Sequence, residues 1–115
     1  IMTLQAPLIK GEKKSETCGE QLRRMCKSIA EEISDENNTM KQLEAFMEGV
    51  YDIEWITHND KSYKAARLLV AGGGPNIWVN LQTNTVDGYW GCDKVTWGFV
   101  DNIGLDDYLE EMYGC

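Results

Sequence analysis

The run Gly72-Gly73-Gly74 is a candidate for phosphate binding, because glycine-rich loops let backbone amides approach phosphate groups. A phosphate-binding loop closes with Gly-Lys-Ser/Thr, whereas Pro75 and Asn76 follow here. A dinucleotide-binding fingerprint needs a third glycine where Ile77 stands, and then a helix. The run therefore indicates a tight turn or bulge between strands, with an anion-binding nest of amides as the alternative.

Thiol and carboxylate chemistry also have candidates. Thiol catalysis needs a nucleophile, a base and an orienting acid, and Cys92, His58 and Asp60 are of the right residue types. Nothing in their spacing along the sequence brings them together. The four cysteines contain no C-x-x-C pair, and a single histidine cannot complete a familiar zinc set. The adjacent acid pairs at 106–107 and 110–111 point about 100° apart on a helix, so neither pair converges. We expect no catalytic residue, metal or cofactor, and reduced cysteines.

Hydrophobic periodicity predicts the elements that position these residues. Thr17 and Glu20 form a capping-box pattern ahead of a first helix, and Asp101 or Asn102 can cap a last one. A second helix from about Thr39 is followed by segments whose apolar residues alternate with period two, which is typical of strands. The residues expected in the core around the two later helices and the first strand are Met40, Leu43, Phe46, Met47, Val50, Trp55, Leu105, Tyr108, Leu109 and Met112.

The order of these segments predicts the fold class. No helical pattern separates the strands, so the sheet should be antiparallel with helices on one face. The sequence thus predicts an α+β fold, with an antiparallel sheet of three to five strands, two N-terminal helices and one C-terminal helix. Residues 1–14 lack apolar periodicity and are expected to form a flexible arm ahead of a single domain over residues 15–115.

Large aromatic side chains indicate a candidate binding surface. Trp78 shares its strand face with Asn76 and Asn80, whereas the opposite face of that strand is apolar. If this face is uncovered, Trp78, Tyr89 and Trp90 would supply the rigid aromatic area typical of an interaction hot spot. The alternative is that helices cover one side of the sheet and terminal segments cover the other, which would bury these rings.

The charge balance favours a cationic partner. The chain carries 19 acidic against 11 basic residues, a formal charge of −8, which repels phosphate backbones and argues against direct nucleic-acid binding. No segment resembles a membrane span or a signal peptide, so a cytoplasmic protein is expected. The carboxylates expected to face the partner are Asp35, Glu36, Glu44, Glu48, Asp52, Glu54, Asp106, Asp107, Glu110 and Glu111.

Three stretches resemble a set of small uncharacterised proteins encoded by phages, plasmids and integrative elements of Firmicutes. They are residues 70–77 (VAGGGPNI), 86–91 (VDGYWG) and 105–113 (LDDYLEEMY). The likeness as a whole covers about residues 50–115. The resemblance implies an accessory protein of a mobile element that acts inside a bacterial host cell. In size and charge the chain also resembles anti-CRISPR and anti-restriction inhibitors, which implies a host partner such as a CRISPR effector nuclease or a restriction enzyme.

Two functional hypotheses emerge. The first is a non-enzymatic inhibitor that binds a nucleic-acid enzyme of host defence, its carboxylates taking the place of DNA phosphates, with an affinity that declines in salt. The alternative is an interaction or dimerisation module that uses the Trp78, Tyr89 and Trp90 surface, with a homodimer formed through an exposed sheet edge.

Overall fold

The computed structural model describes residues 17–37 and 40–114. Two helices, α1 (Cys18–Ser34) and α2 (Met40–Glu48), come first. Five strands follow: β1 (Asp52–Thr57), β2 (Tyr63–Ala71), β3 (Asn76–Asn80), β4 (Thr85–Trp90) and β5 (Asp93–Gly98). Helix α3 (Leu105–Gly114) ends the order. The predicted α+β class is confirmed, whereas the arm expected over residues 1–14 lies outside the described residues.

The sheet is an antiparallel meander. Its strands pair in chain order, β1-β2-β3-β4-β5, so each strand lies beside its neighbours in sequence. The register of β2 shifts twice, once opposite Ile56 and Thr57 and once between Leu69 and Ala71. A meander of this kind has two edge strands, which here are β1 and β5.

All three helices pack on the same face of the sheet, which we call the helical face. Helix α1 crosses β4 and β5, and α3 lies against β2. Helix α2 reaches the core through Leu43 and Phe46. The most deeply buried side chains of this core are Leu22, Cys26, Ile33, Leu68, Ile77, Val79, Val86, Leu105 and Leu109.

Helix α1 approaches β4 most closely at Gly88. A Cβ atom on Gly88 would lie 2.6 Å from Sγ of Cys26 and 2.8 Å from Cδ1 of Leu22. A glycine inside a strand lets another element come this near the backbone. Burial, reinforced by the negative charge of Asp87, raises the pKa of the Cys26 thiol to about 11, so this thiol stays protonated at neutral pH.

The first helix begins with the predicted capping box. Thr17 Oγ1 accepts a hydrogen bond from the Glu20 amide at 3.1 Å, and Glu20 Oε1 accepts one from the Thr17 amide at 3.0 Å. At its other end, Ser34 Oγ accepts the Val100 amide at 3.0 Å and Ser34 O accepts Nδ2 of Asn102 at 2.7 Å. These bonds tie the end of α1 to the segment between β5 and α3.

Three burial predictions are wrong. Met40 is 65% exposed, because it is the first residue of α2 and precedes the turn that touches the core. Trp55 is 36% exposed, because β1 is an edge strand with a neighbour on one side only. Met112 is 37% exposed, since it lies beyond the two leucines through which α3 reaches the core.

Candidate functional site

The sheet face opposite the helices is uncovered within residues 17–37 and 40–114, and we call it the open face. Successive residues of a strand point to opposite faces. Because Leu68, Val79 and Val86 pair across the helical face, the paired residues Leu69, Trp78 and Asp87 point to the open face. By the same register, the open face includes Asp52, Glu54, Arg67, Asn76, Asn80, Tyr89, Lys94 and Thr96.

Trp78 lies at the centre of the open face, on the middle strand of the sheet. The guanidinium carbon of Arg67 is 4.3 Å from the centroid of the Trp78 ring, and Arg67 Nη1 donates to Glu54 Oε1 at 2.6 Å. The Arg67 and Glu54 side chains are 29% and 49% exposed, so these contacts contribute only about 0.5–1 kcal/mol. Their main effect is positional, because Glu54 of β1 holds Arg67 of β2 over the ring of Trp78 in β3.

Tyr89 and Trp90 point to opposite sides of the sheet. Tyr89 lies on the open face, is 36% exposed, and has Lys94 Nζ 5.9 Å from its ring centroid. Trp90 is the next residue along β4 and packs against the core on the helical face. The surface expected from Trp78, Tyr89 and Trp90 therefore contains the first two only.

Arg67 and Leu69 belong to the open face but were missing from the candidate residues. Their signal in the sequence is the alternation of Ala65, Arg67 and Leu69 with Ala66 and Leu68 in β2. That alternation separates two faces. It does not say which residue of β3 lies opposite Arg67, so the contact with Trp78 is a product of the hairpin register.

The ten candidate carboxylates do not form one surface. Asp52 and Glu54 lie on the open face, on the far side of the sheet from the helices. Glu36 is exposed in the segment after α1. The exposed acids of α2 and α3 lie on the outside of the helical layer, and they are Glu44, Glu48, Asp107, Glu110 and Glu111.

Three of these carboxylates have roles inside the fold. Glu54 pairs with Arg67, and Asp35 Oδ1 accepts the Asn37 amide at 2.9 Å in the turn after α1. Asp106 Oδ1 accepts the Tyr63 hydroxyl at 2.8 Å. Burial, followed by this hydrogen bond, raises the pKa of Tyr63 well above its usual range, which keeps the phenol protonated as a donor.

The residues considered for thiol catalysis are far apart. His58 follows β1 in the first hairpin, whereas Cys92 lies between β4 and β5, at the other end of the strands and near the opposite edge. Asp60 Oδ1 accepts both the amide of Ser62 at 3.0 Å and its hydroxyl at 2.6 Å, which lowers the pKa of Asp60. Within the described parts of the chain, no three His, Cys, Asp or Glu side chains are grouped to hold a metal ion.

A groove of about 690 Å³ lies between α1, α2 and the end of β2. Its walls are mainly apolar, including Met25, Ile29, Phe46 and Val70, and Glu32 supplies a carboxylate. The glycine run borders it at Gly72, and Gly73 has a φ of 88°, as a turn between strands requires. Among the described residues that line the groove, none is a cysteine or a histidine, so the residues considered for thiol catalysis lie elsewhere.

Comparisons of the chain with family models, with curated proteins and with solved structures give no match. Within the residues that the structure describes, no helix has the length and apolar character needed to cross a membrane.

Proposed function

We propose that this chain is a non-enzymatic binding protein that docks a protein partner through its open face. The observation that carries the proposal is Trp78, held under Arg67 at the centre of a sheet face on which no described helix packs. Rigid aromatic side chains at the centre of a surface are the usual anchors of protein interfaces. Asn76, Asn80 and Thr96 add hydrogen-bonding groups around this centre.

The charges on the open face favour a partner that is neutral or basic. Asp52, Glu54 and Asp87 provide three carboxylates on this face, against the cations Arg67 and Lys94. The whole chain carries a formal charge of −8. Electrostatic complementarity therefore favours a neutral or basic protein surface over a nucleic acid, whose phosphates the chain repels.

The test compares Trp78→Ala with Tyr51→Ala, because Tyr51 is a 74% exposed aromatic that borders the groove on the helical side. We expect a partner purified on the wild-type chain from a bacterial lysate to lose at least tenfold in affinity for Trp78→Ala, since truncating an anchor costs more than about 1.4 kcal/mol. Tyr51→Ala should bind like the wild type. If circular dichroism shows both variants folded and Trp78→Ala binds the partner as tightly as the wild type, the open face is not part of the interface.

A second candidate function is inhibition of a host nucleic-acid enzyme, such as a CRISPR effector nuclease or a restriction enzyme, in the cytoplasm of a bacterial cell. The observation that favours it is the set of exposed carboxylates on the outside of α2 and α3, including Glu44, Glu48, Asp107 and Glu110. Carboxylates on a rigid layer can occupy a cationic channel that normally holds DNA. This function uses the helical side of the molecule rather than the open face.

Charge reversal tests this second candidate. Glu44, Glu48, Asp107 and Glu110 are changed to Lys together, whereas Asp106 is left in place because it holds the Tyr63 hydroxyl. A bacterial DNA-cleaving enzyme is first purified on the wild-type chain. We expect its DNA cleavage to be inhibited by the wild type and at least tenfold less by the reversed variant, with the wild-type affinity falling as salt rises. A variant with Gln at the same four positions should be intermediate. Undiminished inhibition by the Lys variant would reject phosphate mimicry.

A further inference from the structure

Strand β1 has an unpaired edge. Within residues 17–37 and 40–114 it pairs with β2 only, over its six residues Asp52–Thr57. The backbone N–H and C=O groups on the outer side of an edge strand can pair with an extended segment of another chain. Strand addition would therefore supply main-chain affinity, and the side chains of β1 would decide which segment fits.

The two faces of this edge differ in chemistry. On the open face, β1 displays the carboxylates of Asp52 and Glu54, both exposed. Asp52 Oδ1 accepts the Ile53 amide at 3.0 Å, which holds that carboxylate at the strand and occupies one N–H of the outer edge. Glu54 is shared with Arg67. Side chains of an added strand alternate between the two faces, so those beside Asp52 and Glu54 would meet carboxylate, whereas one beside Ile56 would meet an apolar side chain.

On the helical face, the same edge displays an aromatic cluster. Trp55 is 36% exposed, with its ring centroid 5.3 Å from that of Tyr113 and 6.2 Å from that of Tyr63. The Tyr113 hydroxyl donates to the Lys61 carbonyl at 2.7 Å, which fixes the end of α3 beside the first hairpin. The remaining residues of an added strand would bury the exposed part of Trp55, and apolar side chains do this best.

The opposite edge has different properties. Strand β5 displays Lys94 and Thr96 on the open face, and α1 packs against it on the helical face. Lys27 of α1 places its Nζ 5.9 Å from the ring centroid of Trp97. Strand β5 thus has the cations Lys94 and Lys27 beside it as well as the carboxylate of Asp93, whereas β1 itself contains two carboxylates and no cation. A basic segment is therefore attracted more strongly to β1.

A second copy of this chain fits β1 poorly. Antiparallel pairing of β1 with itself would bring Asp52 and Glu54 close to the same carboxylates of the other copy. Like charges that face each other across paired strands are destabilising. A segment with basic residues reverses the sign of this interaction.

We propose that the free edge of β1 binds an extended partner segment as an added strand, and that this segment alternates basic with apolar residues. Its basic side chains lie beside Asp52 and Glu54, and its apolar side chains cover Trp55. The surface shares Asp52 and Glu54 with the open face. Its main-chain pairing and Trp55 lie outside the open face, and these contacts distinguish it from docking at Trp78.

The test uses an acetylated, amidated peptide that alternates Lys or Arg with Val over seven residues. Its binding to the full chain, labelled with ¹⁵N, is followed by amide chemical shifts and by hydrogen exchange. We expect shifts and new exchange protection along β1, from Asp52 to Thr57. A peptide of the same sequence with alternate N-methylated amides, and one with Glu for each basic residue, should each bind at least tenfold more weakly, about 1.4 kcal/mol.

Variants of the protein separate charge from fold. Asp52→Lys should weaken the basic peptide about tenfold, or about 1.4 kcal/mol, whereas Asp107→Lys on the outside of α3 should leave its affinity unchanged. Tyr89→Ala, on β4 of the open face and away from Glu54 and Arg67, should also bind the peptide like the wild type, which distinguishes this surface from the proposed open-face interface. Equal binding of the N-methylated peptide, shifts centred on the α1/α2 groove or on Trp78, or no binding would each overturn the proposal. The proposal would also be overturned if, without peptide, the chain sedimented as a dimer and the β1 amides were already protected from exchange.

Discussion

Gly88→Ala is expected to lower the free energy of unfolding by about 2 kcal/mol. The added methyl would lie 2.6 Å from the Cys26 sulfur and 2.8 Å from a Leu22 methyl, and both of those residues are fully buried. Helix α1 must then move away from β4 or adopt strained rotamers, because packed cores do not absorb a methyl group without adjustment. Urea unfolding monitored by tryptophan fluorescence measures the loss.

Gly98→Ala is the matched control for this prediction. Gly98 is also a strand glycine, in β5, but a Cβ there would have no atom within 4 Å. Gly98→Ala should change the free energy of unfolding by no more than about 0.5 kcal/mol. The change can be a small increase, because alanine lowers the conformational entropy of the unfolded chain. In a Cys26→Ala background, Gly88→Ala should cost about 1 kcal/mol less, because the sulfur is gone. An equal cost in both backgrounds would show that crowding by Cys26 is not the cause.

Asp101→Ala should destabilise the chain by about 2 kcal/mol, the upper end for a helix cap. Asp101 Oδ1 accepts the amides of Gly104 at 3.0 Å and Leu105 at 2.9 Å, and its Oδ2 accepts the Asp106 amide at 2.9 Å. The site is partly buried, so the amides of the first turn of α3 would lose a charged acceptor that water replaces poorly. Thermal and urea unfolding measure the effect.

Asp107→Ala provides the comparison on the same helix. Asp107 also lies in the first turn of α3, but its side chain is exposed, so only a helix-dipole contribution of about 0.5 kcal/mol is at stake. Asp101→Asn should fall between Asp101→Ala and the wild type, because an amide keeps one acceptor oxygen. If Asp101→Ala and Asp107→Ala lose the same stability, the three hydrogen bonds at Asp101 do not hold α3.

The elements were predictable because each carries a strong local signal. The capping box at Thr17 and Glu20 marks the start of α1, and β2 is a short run rich in apolar and small side chains, as expected of an inner strand. The sequence left the cap of α3 open between two residues. The structure assigns it to Asp101, while Asn102 donates instead to the Ser34 carbonyl.

The exposure of Trp55 was not predictable from local pattern. Its alternation with acids is the same whether β1 is a central strand or an edge strand, and the order of strands in a sheet depends on long-range pairing. The side of Trp90 was predictable, since strict alternation separates it from Tyr89. Gly88 also had a signal, because a glycine within a strand often marks close approach of another element.

The central residue of the candidate site was predictable from the sequence, whereas the side chains around it were not. Strand period alone places Trp78 with Asn76 and Asn80 on the less apolar face of β3. The Arg67 contact requires the register of β2 against β3, which contains a shift between Leu69 and Ala71. The division of the carboxylates between the two sides of the molecule depends on which sheet face the helices cover, and net charge carries no information about that.

The packing of α1 on β4 and β5 has a consequence for synthesis of the chain. Helix α1 precedes β4 and β5 in the chain, so it leaves the ribosome before the strands that cover Leu22 and Cys26. Until β4 and β5 emerge, a nascent chain holds α1 without the strands that bury its apolar face. Ribosome-bound fragments that end after β3 should therefore bind chaperones more strongly than fragments that include β5.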